Sequence, residues 1–330
     1  MTAVQRCNNI ILTLLMGALL AACGGGGGGD SATPAASALQ KPADNTAVAI
    51  PLQQEAFAPA FTGNTADDGF NWTNFRRKQA GIPELTRNSL IDAAAQGHSQ
   101  YQQQNNTITH EQTAGKPGFT GAKLLDRLNA AGYVFDRSLS FAYGEVIAVA
   151  NDNSGFYLAE ELVTAIYHRF VMFEPIFKES GTGAATAPGG ATYFTNNLGA
   201  RNGFGPGLGR GQLVVYPVPG QFGVTTVFFS NQEQPDPVPN QNEVGYPISV
   251  HADFTSSLKV DSFTVRPRGG AVMAVRLLTA ATDVQTKDSG PAAAAIIPLA
   301  VLAAATTYDV SFSGQVDGVQ IDRNWSFTTR

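Results

Sequence analysis

The chain is poor in cysteine, in charged residues and in long apolar runs. It has 330 residues, of which two are cysteine and 14% are charged. Two cysteines cannot build a disulfide scaffold. The longest uncharged apolar run, Ile10–Ala22, has 13 residues, too few to span a bilayer as a helix. A net charge of −5 argues against a nucleic-acid partner, because nucleic-acid binding requires clustered Lys and Arg. The sequence therefore predicts an ordinary folded core, and its length suggests two domains.

Residues 1–22 have the pattern of an export signal. Arg6 is the only charged residue before Asp30, and an apolar stretch follows it. The stretch ends in the small-residue sequence Leu20-Ala21-Ala22-Cys23, which predicts a cleavage site. This ending resembles the lipobox of bacterial lipoproteins. The resemblance implies that Cys23 is acylated, anchors the protein in a membrane and becomes the first residue of the mature chain.

The residues around Cys23 suggest where the anchored protein resides. Gly24 follows the cysteine, which resembles the outer-membrane default of Gram-negative lipoproteins, so we expect an outer-membrane location with a periplasmic or surface face. The resemblance to lipoproteins implies three acyl chains on Cys23. Stable membrane anchoring needs about two lipid or charge signals, so three acyl chains are enough. In residues 23–62, six glycines follow Cys23, and Ala, Pro, Thr and Ser come after them. Such a composition predicts a flexible tether.

Residues 63–200 alternate between helical and strand patterns. Asn88 or Ser89 can cap one helix, Thr120 can start a second, and a third is predicted over residues 157–173. Strand-like runs cover residues 144–149 and 193–196. Helices that alternate with strands predict a layered unit of mixed α and β structure.

A series of short motifs in this unit resembles the bacterial branch of the CAP superfamily. That superfamily, also called SCP, includes cysteine-rich secretory proteins, antigen 5 and pathogenesis-related proteins. The motifs follow the family's order: Gly97-His98, Thr109-His110, Gly118–Gly121, Gly144-Glu145, Tyr167–Arg169 and Gly181–Gly183. The resemblance implies an α+β fold, an α-β-α sandwich, with a cleft lined by a tetrad of His and Glu.

The resemblance also assigns residues to the tetrad. His110 matches the first histidine, Glu145 matches the acid of the family's Gly-Glu-Asn signature, and His168 matches the second histidine. The signature asparagine is replaced by Val146. The second glutamate has no clear counterpart in this sequence.

Two neighbouring acids are candidates for the second glutamate. In a continuous helix over residues 157–173, Glu161 shares a face with His168 at i, i+7, whereas Glu160 does not. We therefore choose Glu161.

Two chemistries are open to such a tetrad. Imidazoles and carboxylates that converge are the ligands of a divalent metal site, so His110 and His168 are candidate ligands for a weakly bound zinc ion. The same groups could act as general acid and base. His98 lies on an apolar helix stripe with Tyr101, where a structural histidine is favoured over a ligand. The sequence has no Gly-x-Ser-x-Gly, and Cys23 is the only mature cysteine, which disfavours a serine or cysteine hydrolase.

A second unit follows a glycine-rich linker at residues 201–211. Residues 212–330 contain short β-rich runs separated by turn residues, which predict an all-β sandwich. The ends of this segment resemble bacterial Ig-like modules, which usually act as spacers or docking surfaces. The alternation of Ile248, Val250 and Ala252 places His251 on the opposite face, which we expect to face solvent.

Three functions remain open. The first is a lipid-anchored envelope protein whose cleft binds a small molecule, a lipid or a divalent metal, with no catalysis. The second is a metal-assisted, peptidase-like hydrolase that acts on envelope polymers. The third is a structural, adhesin-like protein whose Ig-like unit docks an envelope protein or polymer while the cleft is vestigial.

Overall fold

The computed structural model describes residues 55–330. The predicted signal peptide, Cys23 and residues 23–54 of the tether lie outside the described residues. Within the described range, none of the helices combines the length and the hydropathy that crossing a membrane requires.

The first unit contains five helices and a four-stranded sheet. The helices are α1 (Thr65–Gln79), α2 (Ser89–Asn105), α3 (Leu124–Ala130), α4 (Gly155–Thr164) and α5 (Ile166–Met172). The strands are β1 (Thr86–Arg87), β2 (Ala142–Ala150), β3 (Glu179–Thr186) and β4 (Thr192–Ala200). The strand order is β1-β3-β4-β2, with β1 parallel to β3 and the other pairs antiparallel.

Helices cover both faces of this sheet. Adjacent residues of β4 show the two faces: Asn196 donates a hydrogen bond to Thr73 of α1, whereas Thr195 accepts one from Ser99 of α2. Helices α2 and α3 lie on one face, and α1, α4 and α5 lie on the other. This layering is consistent with the predicted α-β-α arrangement.

The Gly-Thr-Gly motif lets α2 lie close to the sheet. A Cβ atom on Gly181 would lie 2.2 Å from the backbone nitrogen of Asp92, and one on Gly183 would lie 2.2 Å from that of Gln96. Neither position can accept a side chain unless the backbone shifts. Between them, the Thr182 hydroxyl points to the other face and donates to the carbonyl of Ala66 in α1.

The helix predicted over residues 157–173 is interrupted. Helix α4 ends at Thr164, α5 begins at Ile166, and Ala165 between them is extended at φ −68° and ψ 121°. The Arg169 side chain donates to the carbonyls of Val163 and Thr164. The expectation of a continuous helix is therefore wrong, and the shared face of Glu161 and His168 does not exist.

The second unit consists of several sheets and one short helix. Its strands are β5 (Leu213–Tyr216), β6 (Phe228–Phe229), β7 (Glu243–Val244), β8 (Ile248–Ala252), β9 (Leu258–Pro267), β10 (Val275–Thr279), β11 (Ala293–Pro298), β12 (Thr307–Val316) and β13 (Val319–Thr328), and its helix is α6 (Val284–Ser289). The strand orders are β10-β11-β8-β5, β13-β12-β9 and β6-β7. Side chains from the first two sheets share one apolar cluster.

His251 is buried and does not face solvent, so that expectation is wrong. Only 3% of its surface is exposed. Strand β8 is central in its sheet, and α5 covers the face opposite the apolar core. The ring of His251 lies 5.8 Å from that of Phe170 and 5.4 Å from that of Phe173. Burial, followed by the charges of Arg169 and Arg77, lowers the pKa of His251 to about 3.

One buried carboxylate joins the two units. Glu233, from the second unit, accepts hydrogen bonds from the backbone N–H groups of Ile166, Tyr167 and His168. These are donors of the first turn of α5, which lack partners within the helix. A carboxylate at this position satisfies them and also interacts favourably with the helix dipole.

A buried arginine reinforces the same contact. The Arg169 guanidinium donates to the carbonyl of Pro247 and to the hydroxyl of Ser249. It also lies 4.9 Å from the ring centres of both Tyr216 and Tyr246. The interface is therefore built from charged and aromatic groups that are removed from water, and we expect the units to unfold together.

The substitution Glu233→Ala tests this coupling. It leaves buried N–H groups without an acceptor, so we expect the free energy of unfolding to fall by about 2–4 kcal/mol. Urea unfolding can be followed separately in each unit, because Trp72 lies in the first and Trp325 in the second. Trp325→Phe and Trp72→Phe variants should give coincident transitions, both shifted by Glu233→Ala. Glu243→Ala, at an exposed position, is the control. Separate transitions for the two tryptophans would contradict the account.

Candidate functional site

A buried carboxylate lies at the centre of the polar cluster between β2, α2 and α3. Glu145 is 2% exposed and accepts two hydrogen bonds from Nη2 of Arg127, at 2.8 and 2.7 Å. Its Oε1 atom lies 3.0 Å from Nδ1 of His110. The predicted pair of His110 and Glu145 is therefore brought together, and Arg127 is a third member.

The local backbone explains why these groups meet. Glu145 is in β2, directly opposite Asn197 of β4, and its side chain is on the sheet face that α2 and α3 cover. Helix α3 begins with a backbone hydrogen bond from Lys123 to the Asp126 carboxylate. Arg127 follows, and its Nη1 also donates to the backbone carbonyl of His110. One guanidinium thus fixes both the carboxylate and the loop that carries the histidine.

His98 supports this loop from α2. Its Nε2 lies 2.8 Å from the carbonyl of Thr109, and its Nδ1 lies 3.0 Å from the side-chain amide nitrogen of Gln112. Thr109 and Gln112 flank His110 in the chain. Burial lowers the pKa of His98 to about 4, although Glu145 acts in the opposite direction. A neutral, fully buried imidazole with both nitrogens engaged has a structural role.

The charge of Glu145 is compensated within the protein. Burial alone raises its pKa, but Arg127, followed by His98 and His110, outweighs burial and holds the pKa well below the usual range of a glutamate. The carboxylate is therefore ionised at neutral pH, and its strongest partner is a fixed cation. His110 is the member that reaches solvent, with 16% of its side chain exposed.

This donor set does not fit a divalent cation. Both oxygens of Glu145 already accept hydrogen bonds from Arg127. Within residues 55–330, no three His, Cys, Asp or Glu side chains lie close enough together to hold a metal ion. Arg127 supplies the positive charge that a metal would bring.

The structure places His168 on the other side of the sheet. A Cβ atom on Gly144 would meet Val171 of α5 at 3.0 Å, whereas the neighbouring Glu145 faces α3. His168 lies on α5, and its Nδ1 is 2.8 Å from Oε1 of Glu233. His110 and His168, the candidate zinc ligands, are therefore not brought together.

Glu161 is also separate from His110 and Glu145. Burial, followed by the charge of Glu160, raises the pKa of Glu161 to about 7, and its hydrogen-bond partner is the hydroxyl of Tyr157. Glu160 accepts from Arg76 and from the indole N–H of Trp72, both at 2.7 Å. Glu160 therefore belongs to the packing of α1 against α4, whereas the hydrogen bond of Glu161 lies within α4.

The resemblance to the family does not identify three polar residues of the site: Arg127, Gln112 and Asn197. Nothing in the sequence spacing of Arg127 pairs it with Glu145, which lies 18 residues away. The side chain of Asn197 is fully buried, and neither its oxygen nor its nitrogen has a hydrogen-bond partner among the described residues. Only the strand register shows that it lies opposite Glu145.

The arrangement can present one oriented imidazole to a ligand. Nδ1 of His110 is engaged by Glu145, which leaves Nε2 as the ring nitrogen that can bond a ligand. Two partly exposed apolar side chains lie within ten residues of His110 in the sequence. Ile108 is 49% exposed and precedes His110 by two residues, while Phe119 is 40% exposed and adjoins Thr120, whose backbone N–H donates to Gln112.

Replacing Arg127 tests the charge balance of this site. Arg127→Met leaves Glu145 buried without its cation, and we expect a loss of about 3–5 kcal/mol in the free energy of unfolding. The double variant Arg127→Met/Glu145→Leu removes both charges and should recover most of that loss. Lys123→Met, an exposed change at the start of α3, serves as control in the same urea titrations near neutral pH. An Arg127→Met variant as stable as the control would contradict the account.

Comparison with known proteins identifies part of the chain. Residues 70–198 match the family model of the cysteine-rich secretory protein family, CAP. No curated protein matches the chain.

Solved structures with similarity to this chain include three bacterial proteins. An extracellular protein containing an SCP domain from Bacillus anthracis is 24% identical, with a TM-score of 0.34, and the match covers 41% of this chain and 39% of that one. An outer surface protein from Borrelia burgdorferi is 15% identical, with a TM-score of 0.33 and coverages of 40% and 89%. A cysteine-rich secretory protein from Staphylococcus aureus is 17% identical, with a TM-score of 0.29 and coverages of 41% and 38%. The chain thus spans about two fifths of the length of the Bacillus protein.

The family match includes the residues that carry the motifs. It begins within α1, ends within β4 and contains His98, His110, Glu145 and the Gly-Thr-Gly sequence. A sheet with helices on both faces is consistent with that match. Residues 70–198 therefore form a CAP domain.

Proposed function

We propose that this chain is an exported, lipid-anchored protein of the cell envelope whose CAP cleft binds a small amphipathic ligand through His110. The observation that carries the proposal is one imidazole, 16% exposed, beside a fully buried, charge-compensated carboxylate. Glu145 fixes the ring of His110 through Nδ1 at 3.0 Å, and Arg127 neutralises Glu145. These contacts hold the His110 ring in one orientation, as expected for a side chain that recognises a ligand.

The surroundings of His110 favour an organic ligand over a metal. Nε2 can accept or donate one hydrogen bond, while Ile108 and Phe119 supply apolar surface in the same part of the chain. A molecule with one polar head and an apolar chain, such as a fatty acid or another lipid, matches that combination. Metal-assisted hydrolysis is disfavoured because Glu145 is already occupied by Arg127.

The second unit serves as a rigid docking or spacer module in this proposal. Its Ig-like character rests on the resemblance of residues 212–330 and on the sheets that the segment forms. The buried contacts of Glu233 and Arg169 hold it firmly against the CAP domain. Any partner that docks on it would therefore be held at a fixed position relative to the cleft.

The binding proposal is tested by proton NMR of the imidazole Cε1–H groups. The chain has four histidines, so His98, His168 and His251 act as internal references. Titration with dodecanoate below its micelle concentration should shift the His110 resonance saturably and leave the other three in place. The probe pairs a hydrogen-bonding carboxylate with an apolar chain. Zinc chloride, added in a parallel titration, should produce no saturable shift of His110.

Matched variants sharpen the result. Phe119→Ser removes apolar surface near the cleft and should weaken dodecanoate binding by about five- to tenfold. Val134→Ser removes an exposed side chain elsewhere in the CAP domain and should leave the affinity unchanged. A His110 resonance that ignores dodecanoate but saturates with zinc would overturn the proposal and restore the metal site.

A further inference from the structure

Exposed apolar side chains gather where strand β13 ends. Phe222 is 76% exposed and Val301 is 42% exposed. Both lie beside the last residues of the chain: the backbone N–H of Thr328 donates to the carbonyl of Gln221, and the N–H of Leu302 donates to that of Thr226, next to Thr225 whose hydroxyl binds Arg330. Together with Phe57, these two residues are called the apolar end below.

Phe222 is held outwards by its loop. Gly220 and Gly223 flank it at φ +76° and +72°, a backbone conformation that favours glycine. The N–H of Gly220 donates to Ser326, and Gln221 accepts from Thr328, so the loop is fixed to β13 on its inner side. The aromatic ring therefore projects from a supported turn. Water around such a ring carries a free-energy cost that only a further contact relieves.

A series of polar interactions connects the segment that carries Phe57 to the loop that carries Phe222. Phe57 is 96% exposed and follows Glu55 by two residues. Glu55 forms an ion pair with Arg76 at 2.6 Å, and the charge of Arg76 lowers the pKa of the Tyr216 hydroxyl against the larger, opposite effect of burial. The amide of Gln221, the residue before Phe222, donates to that same hydroxyl at 3.4 Å. Phe57 and Phe222 thus emerge from one cluster, although 165 residues separate them (222 − 57).

We propose that the apolar end rests in the headgroup region of the membrane to which Cys23 anchors the protein. The inference rests on the lipid anchor of the proposed function. Residues 1–54 join the described chain at Glu55, two residues before Phe57. Cys23 and Glu55 are 32 positions apart (55 − 23). A flexible chain of that length has an r.m.s. span of roughly 31 Å. The bilayer is thus close to this end of the molecule.

The composition of the apolar end matches a bilayer surface. Aromatic and aliphatic side chains at the boundary of headgroups and acyl chains contribute to interfacial binding. Three separate side chains, on turns and near the start of the described residues, suit a broad surface better than a peptide. A membrane contact at this end would also fix the direction in which the cleft and the second unit point.

The chain offers a direct way to measure the contact. Residues 23–330 contain one cysteine, Cys23, which can be coupled to a maleimide lipid in phosphatidylcholine vesicles. The native tryptophans are buried, with Trp72 at 0% and Trp325 at 8% exposure. A Phe222→Trp variant therefore adds a single exposed indole. Lipids brominated on their acyl chains quench tryptophan that inserts into the boundary region.

The matched control lies at the other end of the same strand. Val319 is 70% exposed and begins β13, about 30 Å from the Thr328 end at ~3.3 Å per residue. Tethered Phe222→Trp should lose most of its added fluorescence in brominated vesicles, and Val319→Trp should keep it. Phe57→Trp provides a second reporter and should behave like Phe222→Trp.

The outcomes separate the proposal from its alternatives. No quenching at position 222 or 57, or equal quenching at positions 222 and 319, would overturn it. A blue shift of Phe222→Trp that appears without vesicles as protein concentration rises would instead indicate contact between two copies of this chain. Chemical coupling supplies the anchor, so the result is independent of acylation in the cell. Acylation is tested separately by whether Cys23→Ser releases the protein from the membrane fraction.

Discussion

The CAP domain depends on a carboxylate that is buried and must be balanced. Glu145 is 2% exposed, and moving an ionised carboxylate from water into a protein interior costs several kcal/mol unless it is paired. Arg127 balances the charge, and its second nitrogen also holds the carbonyl of His110. The positions of β2, α3 and the His110 loop therefore follow from one ion pair. His98 completes the arrangement from α2 by fixing the residues on either side of His110.

The junction of the two units also contains a buried carboxylate, which is stabilised in a different way. Glu233 is fully buried like Glu145, and each orients a histidine through Nδ1, at 2.8 and 3.0 Å. At Glu145 the compensating charge comes from an arginine, whereas at Glu233 it comes from the first turn of α5. The first pair lies within the CAP domain, and the second lies between the units. The chain thus uses a similar His–Glu contact once within the CAP domain and once between the two units.

Local patterns in the sequence predict α2, α3, β2 and β4 of the CAP domain, and the resemblance to the CAP family predicts the pair of His110 and Glu145. Local patterns could not place His168, since its hydrogen-bond partner Glu233 lies 65 residues away. His251 was assigned to a solvent face because alternation shows two faces but not what covers each one. In β8 the second face packs against Phe170 and Phe173. Contacts between the two units determine the surroundings of His168 and His251, and local sequence patterns do not predict such contacts.

The central claim is that Glu145 stays ionised because Arg127 neutralises it, and that the carboxylate, with both oxygens engaged by Arg127, fixes the orientation of His110. The most direct measurement is the 13C chemical shift of the Glu145 carboxyl carbon as a function of pH, assigned with Glu145→Gln. Free glutamate side chains titrate near pH ~4.3. The account predicts that the Glu145 resonance keeps its ionised shift from neutral pH down to the onset of acid unfolding, with or without zinc. A titration near the ordinary value, or a shift on addition of zinc, would contradict it.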